Sequence, residues 1–550
     1  MSLRRTGMLL AACVVAAALA PGHAVAAQSP AEALLDCARR EVPLAKEQAV
    51  ACLQRAAGIP APAVTGAAMT PVTAGSRACV AVPLLDDRCE AWAQSYAHPG
   101  NTGAGSLGDR PRDLVADPRG ELVYMIGLSE DGGSSDYLTL ALRADTGEVA
   151  WTARWDGLGT DDRPWQAAIS PGGDRLFVTG TRDFANGFAD QATVAYDART
   201  GEELWSRRVA RSEDDWGVDV VASPDGSRVY VSALGAASGS GRDFKVTAYR
   251  ASDGEVMWTS AHGTSRADQV ASMSVSPDGR KLFLVGDTGE EAGAGIDYLT
   301  MALDTGMPEG EEDRAEHAGE LLWTARWDVG FLDWPFAVEA SPDGDRVFVT
   351  GLVEADTPQP SLVVNLDFGT AAYDADTGAQ LWTSRYHSDV GGPNGAFDLA
   401  VSPDGSSVFA TGQITGLGTY MDLDFGTVAI DAATGQQRWA SRYQVPGQMF
   451  EFGQSIGVSP NGSRVYTSGW ASADAFLGSV WHGDSATIAY DAATGTQAWA
   501  ARYSNSPPFT TYGMRLAVGP SGLVFTTGTL FYFATTTGNP ADVSVLAYDP

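Results

Sequence analysis

Ser223-Pro224-Asp225-Gly226 is followed closely by the apolar run Val229-Tyr230-Val231-Ser232. Proline presets φ at the second position of a tight turn, aspartate bonds to nearby amides, and glycine accepts a positive φ, so the tetrapeptide reverses the chain. The run after it is short, β-branched and aromatic, and lies between turn signals, which argues for a strand. The same arrangement returns around Pro118, Pro171, Pro277, Pro342, Pro403, Pro460 and Pro520. Spacings of about 50 to 65 residues suit a four-stranded propeller blade and leave no room for a crossover helix.

A second turn recurs at Asp197-Ala198-Arg199-Thr200-Gly201, and again over 374–378, 431–435 and 491–495, where it joins a third strand to a fourth. With strands A to D running alternately, the A–B and C–D turns share one end of each blade. The B–C and D–A loops share the other, and they are the long, variable ones: compare 180–190 with 351–367 and 469–484. Variable loops on a rigid scaffold are where binding concentrates, so function is expected at the long-loop end. The eighth copy reaches Ala547-Tyr548-Asp549-Pro550 after its third strand, while Cys89 to Tyr96 reads like a fourth strand, as Trp382-Thr383-Ser384-Arg385-Tyr386 does. The expectation is an all-β, eight-bladed propeller of four-stranded antiparallel blades over 86–550, closed by an N-terminal strand that completes the last blade.

Ahead of it, Arg4 and Arg5, the apolar run Met8 to Ala20 and Ala24-Val25-Ala26-Ala27 read as a secretory signal over 1–27. A secreted or extracytoplasmic protein is therefore expected. Cys13 lies within that run, where Leu10-Ala11-Ala12-Cys13 resembles a lipoprotein cleavage box. Residues 28–59 read as a small helical hairpin extension and 60–85 as a linker. Cys37, Cys52, Cys79 and Cys89 would remain, an even number that suggests two disulfides with three pairings open; Cys37–Cys52 and Cys79–Cys89 is the preferred one.

A formal net charge of -32 argues against nucleic acid or an anionic membrane as partner. Beyond the signal no apolar stretch is long enough to span a bilayer. The six histidines, His23, His98, His262, His317, His387 and His482, show neither H-E-x-x-H nor zinc-ligand spacing.

Ala195-Tyr196-Asp197-Ala198-Arg199-Thr200-Gly201-Glu202-Glu203-Leu204-Trp205, repeated over 372–382, 429–439 and 489–499, resembles the tryptophan-docking motif of quinoprotein propellers, A-x-D-x-x-T-G-x-x-x-W. Degraded copies lie over 141–151 and 248–258. The resemblance, to pyrroloquinoline-quinone-binding-like β-propeller repeat proteins of secreted bacterial type, covers about Glu90 to Pro550. It implies that Trp92, Trp151, Trp205, Trp258, Trp323, Trp382, Trp439 and Trp499 are wedges between neighbouring blades. It also implies, for the enzymes of the family, a catalytic aspartate, Ca²⁺ and, in the alcohol-oxidising branch, adjacent cysteines under the quinone. This chain has no adjacent cysteines and none after Cys89, no catalytic residue carries over by motif, and pyrroloquinoline quinone is not expected as a cofactor.

Two series of carboxylates recur. Asp136, Asp190, Asp243, Asp297, Asp367, Asp424, Asp484 and Asp542 open strand C, where capping of local amides is expected. Asp109, Asp162, Asp215, Asp268, Asp333 and Glu451 stand just before strand A, with Asn394 and Thr511 breaking the series. Strand A is innermost, so these six could converge on the channel mouth, held by interblade hydrogen bonds or bridged by Ca²⁺. Beside them stand Trp165, Trp216, Trp334, Phe452 and Tyr512, with Trp470 and Trp481 on a long loop; these either fill the blade interfaces or stack on a sugar or peptide. The reading is a non-catalytic, monomeric binding or scaffolding module taking an extracellular glycan, peptide or protein, with a quinone-dependent dehydrogenase or glycan-acting enzyme at the acidic mouth as the alternative.

Overall fold

The computed structural model describes residues 91–96, 110–131, 134–157, 161–183, 189–209, 215–237, 241–264, 268–289, 295–307, 316–330, 332–355, 365–388, 391–416, 422–445, 450–472, 483–503, 509–532 and 543–550. The expected signal, helical extension, linker and all five cysteines lie outside these residues, as does Asp109.

Eight four-stranded antiparallel sheets make up the described chain, and no α-helix occurs in it. Blade 1 runs through strands A to D at Arg110–Ala116, Leu122–Asp131, Ser134–Arg143 and Val149–Trp155. Blades 2 to 7 repeat this order and begin at Asp162, Asp215, Asp268, Trp334, Gly395 and Glu451. Blade 8 takes strands A to C from Phe509–Val518, Val524–Tyr532 and Val543–Tyr548, and Trp92–Tyr96 pairs antiparallel with the last of these, Trp92 opposite Ala547 and Tyr96 opposite Val543. Each strand A packs against strand A of the next blade, and blade 8 packs against blade 1, so the A strands form the inner wall of a ring.

Strands B and C are buried on both faces, which is why they are nearly continuous apolar or small-residue runs, as in Leu122 to Leu128 and Tyr137 to Leu142. Strand D is half exposed and carries the tryptophan. The two turns of a blade meet at one end: the amide of Ala198 in the C–D turn donates to the carbonyl of Asp174 in the A–B turn at 3.0 Å. Gly226 in the first kind of turn has φ 72° and Gly201 in the second has φ 75°, the left-handed conformation that only glycine adopts without strain. The long loops therefore share the opposite end.

Blades are joined through the strand-D indoles. Trp151 Nε1 donates to Ala198 O of the next blade at 3.0 Å, and Trp92, Trp205, Trp258, Trp323, Trp382 and Trp439 make the same bond to Ala144, Ala251, Thr305, Ala375, Ala432 and Ala492. Trp499 Nε1 has no partner among the described residues, although its ring lies 5.7 Å from that of Tyr548. Every indole also packs on a strand-B aromatic of its own blade, for example Trp205 on Phe177 with centroids 5.9 Å apart, and several on a strand-C tyrosine of the next, as Trp205 on Tyr249 at 5.9 Å. Large aromatics placed so bury most of their surface and supply much of the blade-to-blade cohesion.

Candidate functional site at the long-loop end

Strand D carries an arginine three residues beyond its tryptophan, and this side chain turns back toward the first aspartate of strand C. Arg154 meets Asp136 at 2.6 Å, Arg442 meets Asp424 at 3.3 Å and Arg502 meets Asp484 at 2.5 Å; Arg208–Asp190 and Arg326–Asp297 are contacts of the same kind, and Arg385–Asp367 is looser at 4.0 Å. The expectation that these aspartates cap local amides is thus corrected: they face a guanidinium across a strand pair. The recurring Arg154, Arg208, Arg326, Arg385, Arg442 and Arg502 are a signal in the repeat that the motif reading passed over. Blade 3 has Ala261 in that place, and burial together with the neighbouring Asp268 raises the carboxyl of Asp243.

Amide capping belongs to the other series. Asp162 Oδ2 accepts from Gly157 N at 2.6 Å, and Asp268 accepts from the amide and hydroxyl of Thr264. Asp333 accepts from Val329 N, Gly330 N and Glu354 N at 2.6, 3.1 and 3.0 Å, which ties the D–A loop to the B–C loop. Asn394 does this as a neutral side chain, accepting from Thr415 N and donating to Leu366 O. Asp162, Asp268, Asp333 and Glu451 are buried. Asp162 neighbours Asp136 of the preceding blade, Asp333 neighbours Asp297, and Glu451 feels the charge of Asp424. Only the backbone of Asp215 is described.

The cost of this arrangement shows in the acidities. Burial, with Asp136 and Asp156 nearby, holds the Asp162 carboxyl up at about 7 against the Gly157 amide and Arg182. Burial, then Asp424 and Asp422, raises Glu451 to about 9, and neither of its oxygens has a hydrogen-bond partner among the described residues. A carboxyl held there carries its proton at neutral pH.

The aromatics beside this rim are packed. Trp165 is buried under the guanidinium of Arg112, 4.5 Å from its ring centre. Trp334 Nε1 donates to Asp287 Oδ1 at 3.3 Å, Trp216 sits partly buried against Met273 and its neighbours, and Phe452 lies 5.5 Å from Trp470. Trp481 and the Tyr512 side chain lie outside the described residues.

A further set of polar groups sits deeper, on the inner wall. Every strand A has a bulge in its pairing with strand B, and in blades 1, 3 and 6 the residue after it is Asp113, Asp219 or Asp398. Asp113 Oδ2 accepts from Ala167 N of the next blade at 2.9 Å, Asp219 Oδ2 from Met273 N at 2.8 Å and Asp398 Oδ2 from Ile456 N at 3.2 Å; Glu339 accepts from Val401 N at 3.2 Å. Between blades 8 and 1 a cation supplies the link: Arg515 meets Asp113 at 3.5 Å and donates to Arg112 O at 3.1 Å. Sequence reading missed this girdle because it depends on a bulge register that the repeat does not announce.

The family model described as "Outer membrane protein assembly factor BamB", a pyrroloquinoline-quinone-like repeat model, matches residues 135–300 and 424–541, just over half of the 550. The chain belongs to this family. Among solved structures it is similar to Chaetomium thermophilum Sqt1 bound to the N-terminus of the ribosomal protein L10, with 14% identity, a TM-score of 0.50, and 81% of this chain and 98% of that chain covered. It is also similar to the quinohemoprotein alcohol dehydrogenase from Comamonas testosteroni, with 13% identity, a TM-score of 0.47, and coverage of 83% and 76%. Likeness at this level concerns the fold. No curated protein matches the chain. Among the described residues no helix is long and apolar enough to cross a membrane.

Proposed function

We propose that the chain is a non-catalytic binding scaffold outside the cytoplasm whose partner, a protein or peptide segment, docks on the long-loop end. The observation that carries this reading is the use made of the polar groups there. Asp162, Asp268, Asp333 and Asn394 hold loop amides, and the strand-C aspartates hold strand-D arginines. Groups so engaged build a rigid frame for loops rather than a poised acid and base. The description of the family as an assembly factor supports a scaffold.

A quinone-dependent enzyme is the reading this family also offers, and the inner wall argues against it. Pyrroloquinoline quinone is a tricarboxylic acid and needs cations or free donors. The described strand-A acids Asp113, Asp219, Glu339 and Asp398 instead accept amides of the next blade, and Arg515 is ion-paired with Asp113. These residues do not fit the group.

The test is a photo-crosslinking amino acid placed one at a time at exposed His387 and Gln444 of the long-loop end and at exposed Arg199 and Asp376 of the turn end, in producing cells. One discrete protein adduct from the first pair and none from the second supports the reading. Adducts from the turn end alone, or a quinone-dependent dye reduction by the purified chain, overturn it.

A further inference from the structure

Two blades carry the same hexapeptide at the end of strand D: Trp151-Thr152-Ala153-Arg154-Trp155-Asp156 and Trp323-Thr324-Ala325-Arg326-Trp327-Asp328. In each, the final aspartate stands just past the strand, exposed, and joins the first aspartate of strand C and the acid at the start of the next strand A. The trios are Asp136, Asp156, Asp162 and Asp297, Asp328, Asp333, and in each the three carboxylates offer oxygens within 4.8 Å of one another. Other blades have Gly263, His387 or Gln444 in the third place and form no such trio among the described residues.

The first trio differs from the second in one respect. Asp333 spends both oxygens on amides, and Arg326 reaches both Asp297 and Asp328. Asp162 is 0% exposed, and its Oδ1 has no hydrogen-bond partner among the described residues while Oδ2 takes the amide of Gly157. A fully buried carboxylate oxygen left without a donor is costly unless a cation or a proton meets it.

We propose that Asp136, Asp156 and Asp162 hold a hard divalent cation of the Ca²⁺ class between blades 1 and 2. Ca²⁺ binds oxygen at about 2.3 to 2.6 Å and tolerates irregular sets of carboxylate and water ligands, whereas Mg²⁺ at about 2.1 Å demands near-octahedral geometry. Exposed Asp156 leaves an entry side on which water completes the shell. Arg154 keeps its contact with Asp136 Oδ2. The ion joins strand C of blade 1, the D–A loop and strand A of blade 2, and so fixes one loop of the long-loop end. The site lies between blades 1 and 2, and the proposal is independent of what docks on that end.

The test is calorimetric titration of Ca²⁺ into the full chain after chelation, with Tb³⁺ luminescence excited through tryptophan as a second readout, since Trp155 adjoins Asp156. One saturable Ca²⁺ site is expected. Asp156→Asn should weaken it at least about 10-fold and dim the Tb³⁺ signal, Asp328→Asn should leave it within about 2-fold, and both exposed-site variants should melt with the wild-type chain in chelator. Absence of saturable binding up to millimolar Ca²⁺, or equal binding by wild type and Asp156→Asn, overturns the proposal, as does an equal loss in Asp328→Asn.

Discussion

The indole Nε1 of Trp205 donates to the carbonyl oxygen of Ala251 at 3.0 Å, across the boundary between blades 2 and 3. The ring is held between Phe177 of its own blade and Tyr249 of the next, so one side chain serves two sheets. Trp205→Ala removes that wedge and should cost about 3 to 5 kcal/mol of unfolding free energy. Trp205→Phe keeps the aromatic contact and loses the hydrogen bond, and should cost visibly less. Denaturant unfolding of both variants checks the order; an alanine variant as stable as the phenylalanine one would contradict the packing account.

Gly201 lies beneath Trp151, and a Cβ added there would fall 2.5 Å from the indole, at a φ of 75°. Gly201→Ala should therefore destabilise on two counts, steric and conformational, by more than the roughly 1 kcal/mol that a glycine-to-alanine change costs through backbone strain alone. Thermal melting of this variant beside Gly226→Ala, where φ is also positive at 72° but a Cβ meets nothing closer than 3.6 Å, separates the two contributions.

Glu451 gives the pH response a sign. Burial and the charges of Asp424 and Asp422 raise its carboxyl from 4.5 to about 9, and burial and Asp398 raise Glu339 from 4.5 to about 8. Native chains thus keep protons that unfolded chains release, so stability is greatest below about pH 4.5 as far as these groups are concerned and is lost as pH rises toward 8 and 9. Glu451→Gln should flatten that decline and raise the urea midpoint at pH 8. An unchanged pH profile would mean that Glu451 is already ionised in the folded chain.

Arg515 of blade 8 is the cation in the inner girdle between the last blade and the first. Arg515→Met leaves Asp113, already raised to about 6 by burial, without its compensating charge. A loss of about 1 to 3 kcal/mol is expected, largest above pH 6 where Asp113 is ionised. The companion Asp113→Asn should recover part of it; no recovery would place the effect of Arg515 elsewhere.

The architecture was legible because its signals are local and repeated. Ser-Pro-Asp-Gly and Asp-x-x-Thr-Gly each specify a turn within a few residues, and eight copies of one grammar leave few alternatives to a ring. Site chemistry was harder to read. Both aspartate series were visible in the sequence, yet which one met amides and which met arginine depended on the direction in which the first residue of strand A and of strand C projects. The inner-wall role of Asp113, Asp219 and Asp398 rests on bulges after Pro111, Gly217 and Ala396. Glu451 looked like one more member of a rim, and the lack of a hydrogen-bond partner for its carboxyl among the described residues is a property of the packed interface alone.

Trp92–Tyr96 lies beside Val543–Tyr548 in the eighth blade, with the amide of Ala91 donating to Ala547 O at 2.7 Å, and both ends of every loop assignment above depend on the ring being shut in this way. Hydrogen exchange measured on the intact chain and on a chain lacking residues up to Tyr96 tests it directly. Amides of Val543 to Tyr548 that exchange slowly in the first and at least about 10-fold faster in the second are the predicted result. Equal exchange of that strand in the two chains would contradict the closed ring.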